Sequence, residues 1–361
     1  MDKSTESQDQ MSDSELLKLV GGLVNEEKHL EAARLLRQIK DQSLLSDRHR
    51  KLLAKVIIIE NAMNDLLSSP EETWTKQGET HGPYDFTLYY KVEDGARLTC
   101  RIESPIPHSL LVPLLSVLNE SDLYQTWIPS FRTPFKLGVQ ESKQLLNDTR
   151  GHQVIQVTVG VPFPLKTREA LFSVQAVDEI ETNGLIIAKM TSIGDTAEGE
   201  IIKSSLPDNF DIPLPSRSTE RVDFEGVVIF RHCPTDHPNY DENRKKYPGE
   251  DLILTQFAFS FDAKITLPQS MINFFTRSAM GMVWNMLLRV AEKVRDGTRE
   301  EHCNAIAQKA DFYDWVEERC KYMIENYQDD IQREHGNGDE QDDGLKENEI
   351  WTLQEILRMN L

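Results

Sequence analysis

Residues that could bind a metal ion lie close together in one segment, HCPTDH, which contains His232, Cys233, Asp236 and His237. Imidazole and thiolate groups are common zinc ligands in proteins, so this segment is a natural place to look for a metal site. Its spacing matches no standard zinc signature, and proline interrupts the run. We therefore predict neither a metal site nor a cofactor for this chain.

Motifs of nucleophilic and phosphoryl-transfer enzymes are missing from the sequence, which has no GxSxG, no HExxH and no glycine-rich phosphate loop. His108 and His152 have no partnered nucleophile close to them in sequence. We predict that the protein is not an enzyme. A catalytic site assembled from distant residues, acting on a hydrophobic substrate, is the less favoured alternative.

An apolar turn next to two cations is found in the segment GVPFPLKTREALFSV, residues 160–174. Phe163 lies between two prolines, and Leu165, Lys166 and Arg168 follow it. Apolar side chains beside cations are suited to a lipid surface, where the first can insert while the second contact phosphates. The turn is therefore a candidate gate or membrane contact.

Two orientations of this turn fit the sequence. In the first, Phe163 points outward toward a bilayer. In the second, Phe163 folds inward over the mouth of a pocket and Arg168 pairs with an acid such as Glu169 or Asp178. In both orientations the turn would act as a gate to the pocket.

The charge distribution argues against nucleic acid as a partner. The 361 residues have a formal net charge of −20, to which residues 1–15 contribute −4 and residues 325–349 contribute −8. Subtracting these two segments leaves −8 for the rest, which has no basic block of the kind that phosphate backbones require. Four cysteines without a CxxC motif, and an N-terminus without an apolar core, predict free thiols and a cytoplasmic protein.

The elements that would hold these residues follow from the hydrophobic periodicity. Residues 1–11 are predicted to be disordered, and residues 12–70 to form a helical hairpin with caps at Ser12 and Ser46. From Tyr84 the period is two, and the pattern predicts eight strands, the first two joined by an Asp94-Gly95 turn. Residues 108–127 read as short helices, whereas 195–220 and 233–250 read as long polar loops.

After Pro268 the period becomes helical again, which predicts one long helix that ends at Gly297. An accessory helix over 298–327, begun by a Thr298–Glu301 capping box, follows it. An acidic linker, 328–348, and a short amphipathic helix, 349–361, complete the chain.

This order of elements resembles the START family of lipid-binding domains, within the helix-grip superfamily, over residues 80–297. The resemblance depends on a Pro-aromatic-Pro-hydrophobic-x-x-Arg-acidic motif, on a tryptophan after the short helices, and on a Leu-Pro entry to the last helix. The matching residues are Pro162, Phe163, Pro164, Leu165, Arg168, Glu169, Trp127, Leu267 and Pro268. The loops 195–220 and 233–250 are longer than this family usually has.

The resemblance implies an α+β helix-grip fold, in which a curved antiparallel sheet surrounds a long C-terminal helix and encloses a cavity for a lipid. A helical hairpin and a C-terminal helical extension are added at the two ends. The expected cavity and gate residues are Phe163, Leu165, Arg168, Trp127, Ile272, Phe275, Ala279, Met282 and Met286. The polar candidates, each placed on one face of its strand by alternation, are Arg97, Arg101, Glu103 and Gln256.

Non-catalytic binding of a lipid or other hydrophobic ligand is the predicted function, with transfer between membranes as one use of it. Transient membrane contact is the predicted partner interaction, and the long helix is a candidate lid whose methionines can adapt to a lipid. A lipid-sensing adaptor that contacts a protein partner through its helical ends is the alternative.

Overall fold

The computed structural model describes residues 11–70, 73–93, 97–133, 136–262, 264 and 268–326. The predictions for residues 1–10, for the Asp94-Gly95 turn, for Leu267, for the linker 328–348 and for the helix 349–361 lie outside these ranges. The chain divides into two units, residues 1–61 with 344–361 and residues 62–343.

The described residues of the first unit, 11–61, contain three α-helices where the sequence predicted a two-helix hairpin. They are α1 (Asp13–Asn25), α2 (His29–Leu36) and α3 (Asp47–Leu67), the last of which continues into the second unit. Glu27, with a φ of 63°, separates α1 from α2. The predicted capping box is confirmed, because the Glu15 amide donates to Ser12 Oγ and the Ser12 amide donates to the Glu15 carboxylate. Arg37 donates to both carboxylate oxygens of Glu60, at 2.8 and 2.6 Å.

The second unit is built on a ten-stranded sheet. Its strands are β1 (Thr75–Thr80), β2 (Phe86–Glu93), β3 (Arg97–Pro107), β4 (Gly138–Thr149), β5 (His152–Gly160), β6 (Thr167–Glu179), β7 (Leu185–Ser192), β8 (Thr219–Arg221), β9 (Asp223–His232) and β10 (Leu252–Asp262). Nine of them pair in the order β1-β2-β3-β10-β9-β7-β6-β5-β4, all antiparallel, while β8 pairs with β6 in parallel. All eight predicted strands are confirmed.

Helices in the second unit cover both sides of the sheet. They are α4 (Leu111–Asn119), α5 (Tyr124–Trp127), α6 (Ile180–Asn183), α7 (Ala197–Ser205), α8 (Tyr240–Lys246), α9 (Gln269–Phe274), α10 (Met280–Arg295), α11 (Glu300–Gln308) and α12 (Ala310–Asn326). The segments 195–220 and 233–250, predicted as loops, contain α7 and α8. That prediction was wrong because Ile201 and Ile202 of α7 are buried despite the polar sequence around them.

A long C-terminal helix is confirmed, although it is not uniform. A π-helical turn, Phe275–Ala279, joins α9 to α10, and Gly297 with a φ of 67° follows the end of the helix. The accessory segment consists of two helices, α11 and α12. The predicted Thr298–Glu301 capping box is wrong, because Arg299 is the N-cap residue of α11 and makes no side-chain cap hydrogen bond.

One core lies between the sheet and the helices α4, α10 and α12. Ile102 of β3, Phe230 of β9 and Phe259 of β10 pack in it with Trp284 and Leu287 of α10. We call this the helix-facing side of the sheet and the other one the opposite side. An antiparallel sheet with a long C-terminal helix against one side is the predicted α+β helix-grip arrangement, which the order and pairing of the elements confirm.

Candidate ligand-binding site

The helix-facing side of the four central strands is almost entirely apolar. Side chains alternate between the two sides of a strand, so every second residue of β3, β10, β9 and β7 faces the helices. The inward residues of β3 and β10 are Leu98, Cys100, Ile102, Ser104, Ile106, Ile253, Thr255, Phe257, Phe259 and Phe261, and those of β9 and β7 are Phe224, Gly226, Val228, Phe230, His232, Ile186, Ala188, Met190 and Ser192. No lysine, arginine, aspartate or glutamate occurs at these described positions.

Part of this apolar side is not covered by the helices. Val174 of β6 and Ala188 and Met190 of β7 are only half-buried, and Ala176 of β6 is exposed. The register pairs Val174 with Met190 and Ala176 with Ala188, so the four side chains form one continuous patch. We call it the apolar floor. Accessible apolar surface of this kind is typical of a ligand-binding site.

Aromatic rings continue the apolar surface toward the end of the sheet where β5 stops and β6 starts. Phe172 of β6 lies 5.0 Å from Phe224 of β9, centroid to centroid, and Phe224 lies 6.4 Å from Phe259 of β10. Phe261 of β10 meets Phe275 of the π-helical turn at 5.6 Å. These rings link the sheet to the last helix at what we call the Phe163 end of the sheet.

The last helix approaches the sheet closely at Gly281. A Cβ atom built on this glycine would lie 3.1 Å from Phe86 Cζ of β2, so even alanine here would require the Phe86 ring to shift by a few tenths of an ångström. Ile272 and Ala279 are buried in the core, and Phe275 and Met286 are half-buried against it. Their predicted place on the inner side of the helix agrees with the structure.

Met282 was predicted to line the same stripe, and the structure corrects this, because its side chain is 44% exposed. A π-helical turn contains one more residue than an α-helical turn, which rotates every later residue by about 100° around the axis. The inward positions of α10 are therefore Met280, Trp284 and Leu287. The regular spacing therefore misplaces Met282, whereas Met286 keeps partial contact with the core.

The turn between β5 and β6 points Phe163 outward. Its side chain is 96% exposed, while Leu165 is half-buried and its amide donates to the Pro162 carbonyl at 3.0 Å. Lys166 is exposed, and its ammonium lies 3.5 Å from the carboxylate of Glu220 on β8. Of the two orientations open from the sequence, the structure has the outward one.

The acids suggested as partners of Arg168 bind other cations, so this part of the prediction is wrong. Arg168 donates to the Lys166 carbonyl at 2.8 Å. The Glu169 carboxylate accepts from Arg221 of β8 at 2.5 and 3.0 Å, and Asp178 accepts from Arg319 of α12. The side chain of Arg168 is therefore half-buried at the Phe163 end of the sheet without a carboxylate bond there.

A second exposed apolar residue, Leu214, precedes β8 and was not predicted. It is 89% exposed, and Arg221 of β8 donates to the carbonyl of the neighbouring Pro213 at 2.7 Å. Because β8 pairs with β6, the segment that carries Leu214 is fixed close to the start of β6. A signal was present in the sequence, since PLP at 213–215 repeats the Pro-hydrophobic-Pro pattern of PFP at 162–164.

Trp127 ends the short helix α5 and lies in the core, and its assignment to a ligand cavity stays a prediction. It is 7% exposed and meets Tyr124 edge to face, with the ring centroids 5.8 Å apart. Its indole N–H is buried and has no acceptor among the described residues.

The polar candidates lie on the opposite side of the sheet, away from α10, which corrects their assignment to the cavity. Arg101 and Glu103 alternate with the core residues Cys100 and Ile102, and Gln256 pairs directly with Glu103 across the strands. Arg97 is half-buried at the start of β3 and shares their side by the same alternation. Alternation shows which residues share a side, and only the packing shows which side the helix takes.

Arg101, Glu103 and Gln256 form a buried network that also holds the end of α3. Arg101 donates to the Glu103 carboxylate at 2.5 and 3.0 Å and to the Ser68 carbonyl at 3.2 Å. Gln256 donates to Glu103 at 2.9 Å and accepts from Arg231 at 3.0 Å. Each of these hydrogen bonds joins two groups of the protein. The network therefore stabilises the packing and offers no free charged group to a ligand.

The charge state of Glu103 follows from the same contacts. Burial alone would raise the pKa of its carboxyl group, but the nearby His237, the charge of Arg101 and the hydrogen bonds from Gln256 and Arg101 lower that pKa to about 2. Glu103 is therefore ionised near neutral pH. His237, part of the HCPTDH segment, lies 3.9 Å from it.

The remaining candidates for metal or enzyme chemistry lie elsewhere. No cluster of metal-ligating side chains occurs within the described ranges. A Ser-His-Asp chain that the sequence did not indicate lies on the opposite side of the sheet, where His152 is 3.0 Å from Ser173 Oγ and 2.5 Å from the Asp148 carboxylate. Ser173 is 1% exposed in the middle of β6, so a substrate carbonyl has no access to its hydroxyl in this conformation. The chain of bonds links the β4–β5 turn to β6.

Similar structures are START and StAR-related domains. Human STARD10 is 12% identical, with a TM-score of 0.45 over 71% of this chain and 84% of that one. Human StAR-related lipid transfer protein 5 is 13% identical, with a TM-score of 0.45 over 68% and 97%. A STAR-related lipid transfer protein from Xanthomonas axonopodis is 14% identical, with a TM-score of 0.39 over 61% and 99%. No family model and no curated protein matches the sequence.

Within the described part of the chain, no helix combines the length and the apolar character needed to cross a membrane.

Proposed function

We propose that residues 62–326 bind a lipid or a similar hydrophobic molecule against the helix-facing side of the sheet. The observation that supports this most is the apolar floor, where Val174, Ala176, Ala188 and Met190 remain accessible on a side that is otherwise core. Transfer of a methylene group out of water is worth about 0.8 kcal/mol, so a long acyl chain gains several kcal/mol on such a surface. Binding needs no covalent chemistry and no cofactor.

Extraction of the purified protein with organic solvent, followed by mass spectrometry, tests this proposal. We expect a lipid in a molar ratio approaching one per chain. Protein from several expression hosts that yields no lipid, and that takes none up from vesicles, would contradict the proposal.

Transient membrane contact through the Phe163 end of the sheet is the second part of the proposal. Phe163 and Leu214 are the two most exposed large apolar side chains among the described residues. Lys166 and Arg168 lie next to Phe163, and Arg217 lies next to Leu214 in an exposed stretch. Apolar tips with cations beside them suit a bilayer that contains anionic lipids.

Changing Phe163 and Leu214 together to glutamate is expected to lower vesicle binding and lipid transfer by at least about tenfold. Each side chain would contribute about 1.5–3 kcal/mol when it leaves water, and two added carboxylates oppose an anionic surface. Vesicle flotation and transfer between labelled vesicles measure the effect. Leu19→Glu, at an apolar residue of α1 that is 47% exposed, is the matched control. Unchanged flotation of the double variant would rule out this contact surface.

The alternative function, a lipid-sensing adaptor, needs a protein partner for the helical ends. It stays a prediction from the sequence. A partner whose affinity for the protein changes when the lipid is removed would favour it over transfer.

A further inference from the structure

A buried polar cluster lies where α4 ends, between α12 and the start of β5. The Glu120 carboxylate accepts from Lys309 at 2.7 and 3.0 Å and from the Tyr313 hydroxyl at 2.5 Å. Asn119 donates to Tyr313 at 3.1 Å, and the Gln153 amide donates to the side-chain oxygen of Asn119. The single base and the single acid of this cluster are paired with each other, so the cluster has no net charge.

One strong acceptor of this cluster has no partner. Gln153 is 7% exposed, and its Oε1 is buried without a hydrogen bond from any described residue. The Oγ of Ser121, next to Glu120 in the chain, is also buried and unpaired. Buried amide oxygens in proteins are almost always hydrogen-bonded, so an oxygen that no described residue reaches is expected to accept from a water molecule or from a ligand.

Gln153 borders the apolar floor. The register pairs it with Val174 of β6, which in turn pairs with Met190 of β7, so the three residues form one row on the helix-facing side. Sites for molecules with a small polar end and a large apolar body usually combine accessible apolar surface with a hydrogen-bonding group at its edge.

The charges near this row decide between classes of lipid. The helix-facing positions of β3, β10, β9 and β7 have no charged residue within the described ranges, and Lys309 is neutralised by Glu120. On β6, Arg168 lies on this side at the Phe163 end, far from Val174, and Asp178, two residues after Ala176, is paired with Arg319 of α12. Arg150, in the β4–β5 turn, lies over the ring of Trp315, 5.2 Å from its centroid. A phosphate taken to the cluster would lose its hydration without gaining a free cation, which costs several kcal/mol.

We infer that the ligand is a neutral lipid whose polar end is a hydroxyl or amide group, which donates a hydrogen bond to Gln153 Oε1. Sterols, diacylglycerols and ceramides have this chemistry, whereas phosphatidylcholine carries a phosphate and has no hydrogen-bond donor. The inference depends on the proposed function, because it names the class of molecule that the apolar floor binds. It also gives α11 and α12 a role in the site, since Lys309, which caps α11, and Tyr313 of α12 complete the cluster that orients Gln153.

Vesicles that contain equal amounts of cholesterol, dioleoylglycerol, N-oleoylsphingosine and dioleoylphosphatidylcholine provide a direct test. The protein is incubated with them, separated by flotation and extracted, and its lipids are quantified. We expect at least one neutral lipid to be enriched about tenfold or more over phosphatidylcholine. Preference for phosphatidylcholine, or no preference, would overturn the inference and leave the proposed function standing. Uptake of none of the four would overturn both.

Removal of the hydrogen bond tests the role of Gln153. Gln153→Leu is expected to lower binding of the preferred neutral lipid about 5- to 30-fold. Gln156→Leu is the matched control, because it makes the same change three residues along β5. Gln156 lies on the opposite side of the sheet, where it donates to Glu169. Both variants are compared by their thermal unfolding midpoints.

A ligand-side test keeps the inference falsifiable if Gln153→Leu does not fold. The methyl ether of the preferred lipid keeps the apolar body but cannot donate a hydrogen bond. With the unchanged protein we expect the ether to bind about 5- to 30-fold more weakly than the alcohol. If Gln153→Leu does fold, it should bind the two equally, since the two changes remove one interaction. Equal binding of the alcohol and its ether to the unchanged protein would overturn the inference.

Discussion

Glu103→Ala is expected to lower the free energy of unfolding by about 3–5 kcal/mol, because it leaves Arg101 as a buried charge without its partner. Arg101 is 1% exposed and Glu103 is 6% exposed. The guanidinium would keep its bond to the Ser68 carbonyl but would lose two bonds to a carboxylate. Chemical denaturation measured by circular dichroism gives the difference.

The pH dependence of this loss identifies its cause. The folded pKa of Glu103, about 2, is below the ordinary value of 4.5, so the unfolded chain takes up the proton first as the pH falls. The contribution of Glu103 is thus complete above about pH 4.5 and is lost as the pH falls toward 2. We expect the stability difference between the wild type and Glu103→Ala to shrink over the same interval.

Two further variants control for this interpretation. Glu141→Ala removes the acid of a pair with Lys143 in which both side chains are about half exposed, and should have little effect. The double variant Arg101→Met/Glu103→Leu removes both charges and should regain much of the lost stability. If Glu103→Ala were as mild as Glu141→Ala, the network would not stabilise the sheet.

Ala188→Phe is expected to reduce lipid occupancy at least about tenfold, because a phenyl ring would fill the centre of the apolar floor. Ala188 pairs with Ala176 on one side and with Val228 on the other, and it is half-buried on the helix-facing side. If the space above it normally holds a ligand, the ring replaces ligand contacts with protein contacts. Stability should therefore change little or rise, while binding falls by more than about 1.4 kcal/mol.

The amount of lipid extracted per mole of protein measures this effect. Ala307→Phe, on the exposed surface of α11, adds the same ring outside the sheet and is the matched control. Wild-type occupancy in folded Ala188→Phe would mean that a ligand, where present, lies elsewhere. A large loss of stability would instead indicate that the floor is already filled by protein.

The strands that the sequence predicted correctly share an alternating pattern, whereas the ones it missed lack it. The sequence of β1, TKQGET, is polar throughout. This strand lies at the edge of the sheet, where it has a neighbouring strand on only one of its two edges. The three-residue β8 is too short to show any period. Likewise, α7 and α8 lie within segments rich in proline and charge. Helices so short depend largely on tertiary contacts, to which α7 adds an N-cap hydrogen bond from the Gly199 amide to Thr196.

The sequence by itself determined the fold class, eight strands, the long C-terminal helix, and the unusual turn with Phe163 at its tip. It could not determine the side of the sheet on which Arg101, Glu103 and Gln256 lie, since alternation has the same period for both sides. It placed Met282 on the inner side of the helix by mistake, because a π-helical turn that no local pattern indicated rotates the start of α10. Only tertiary packing decided that Phe163 points outward and that Gln153 keeps an unpaired oxygen beside the apolar floor, because both depend on neighbours that are distant in sequence.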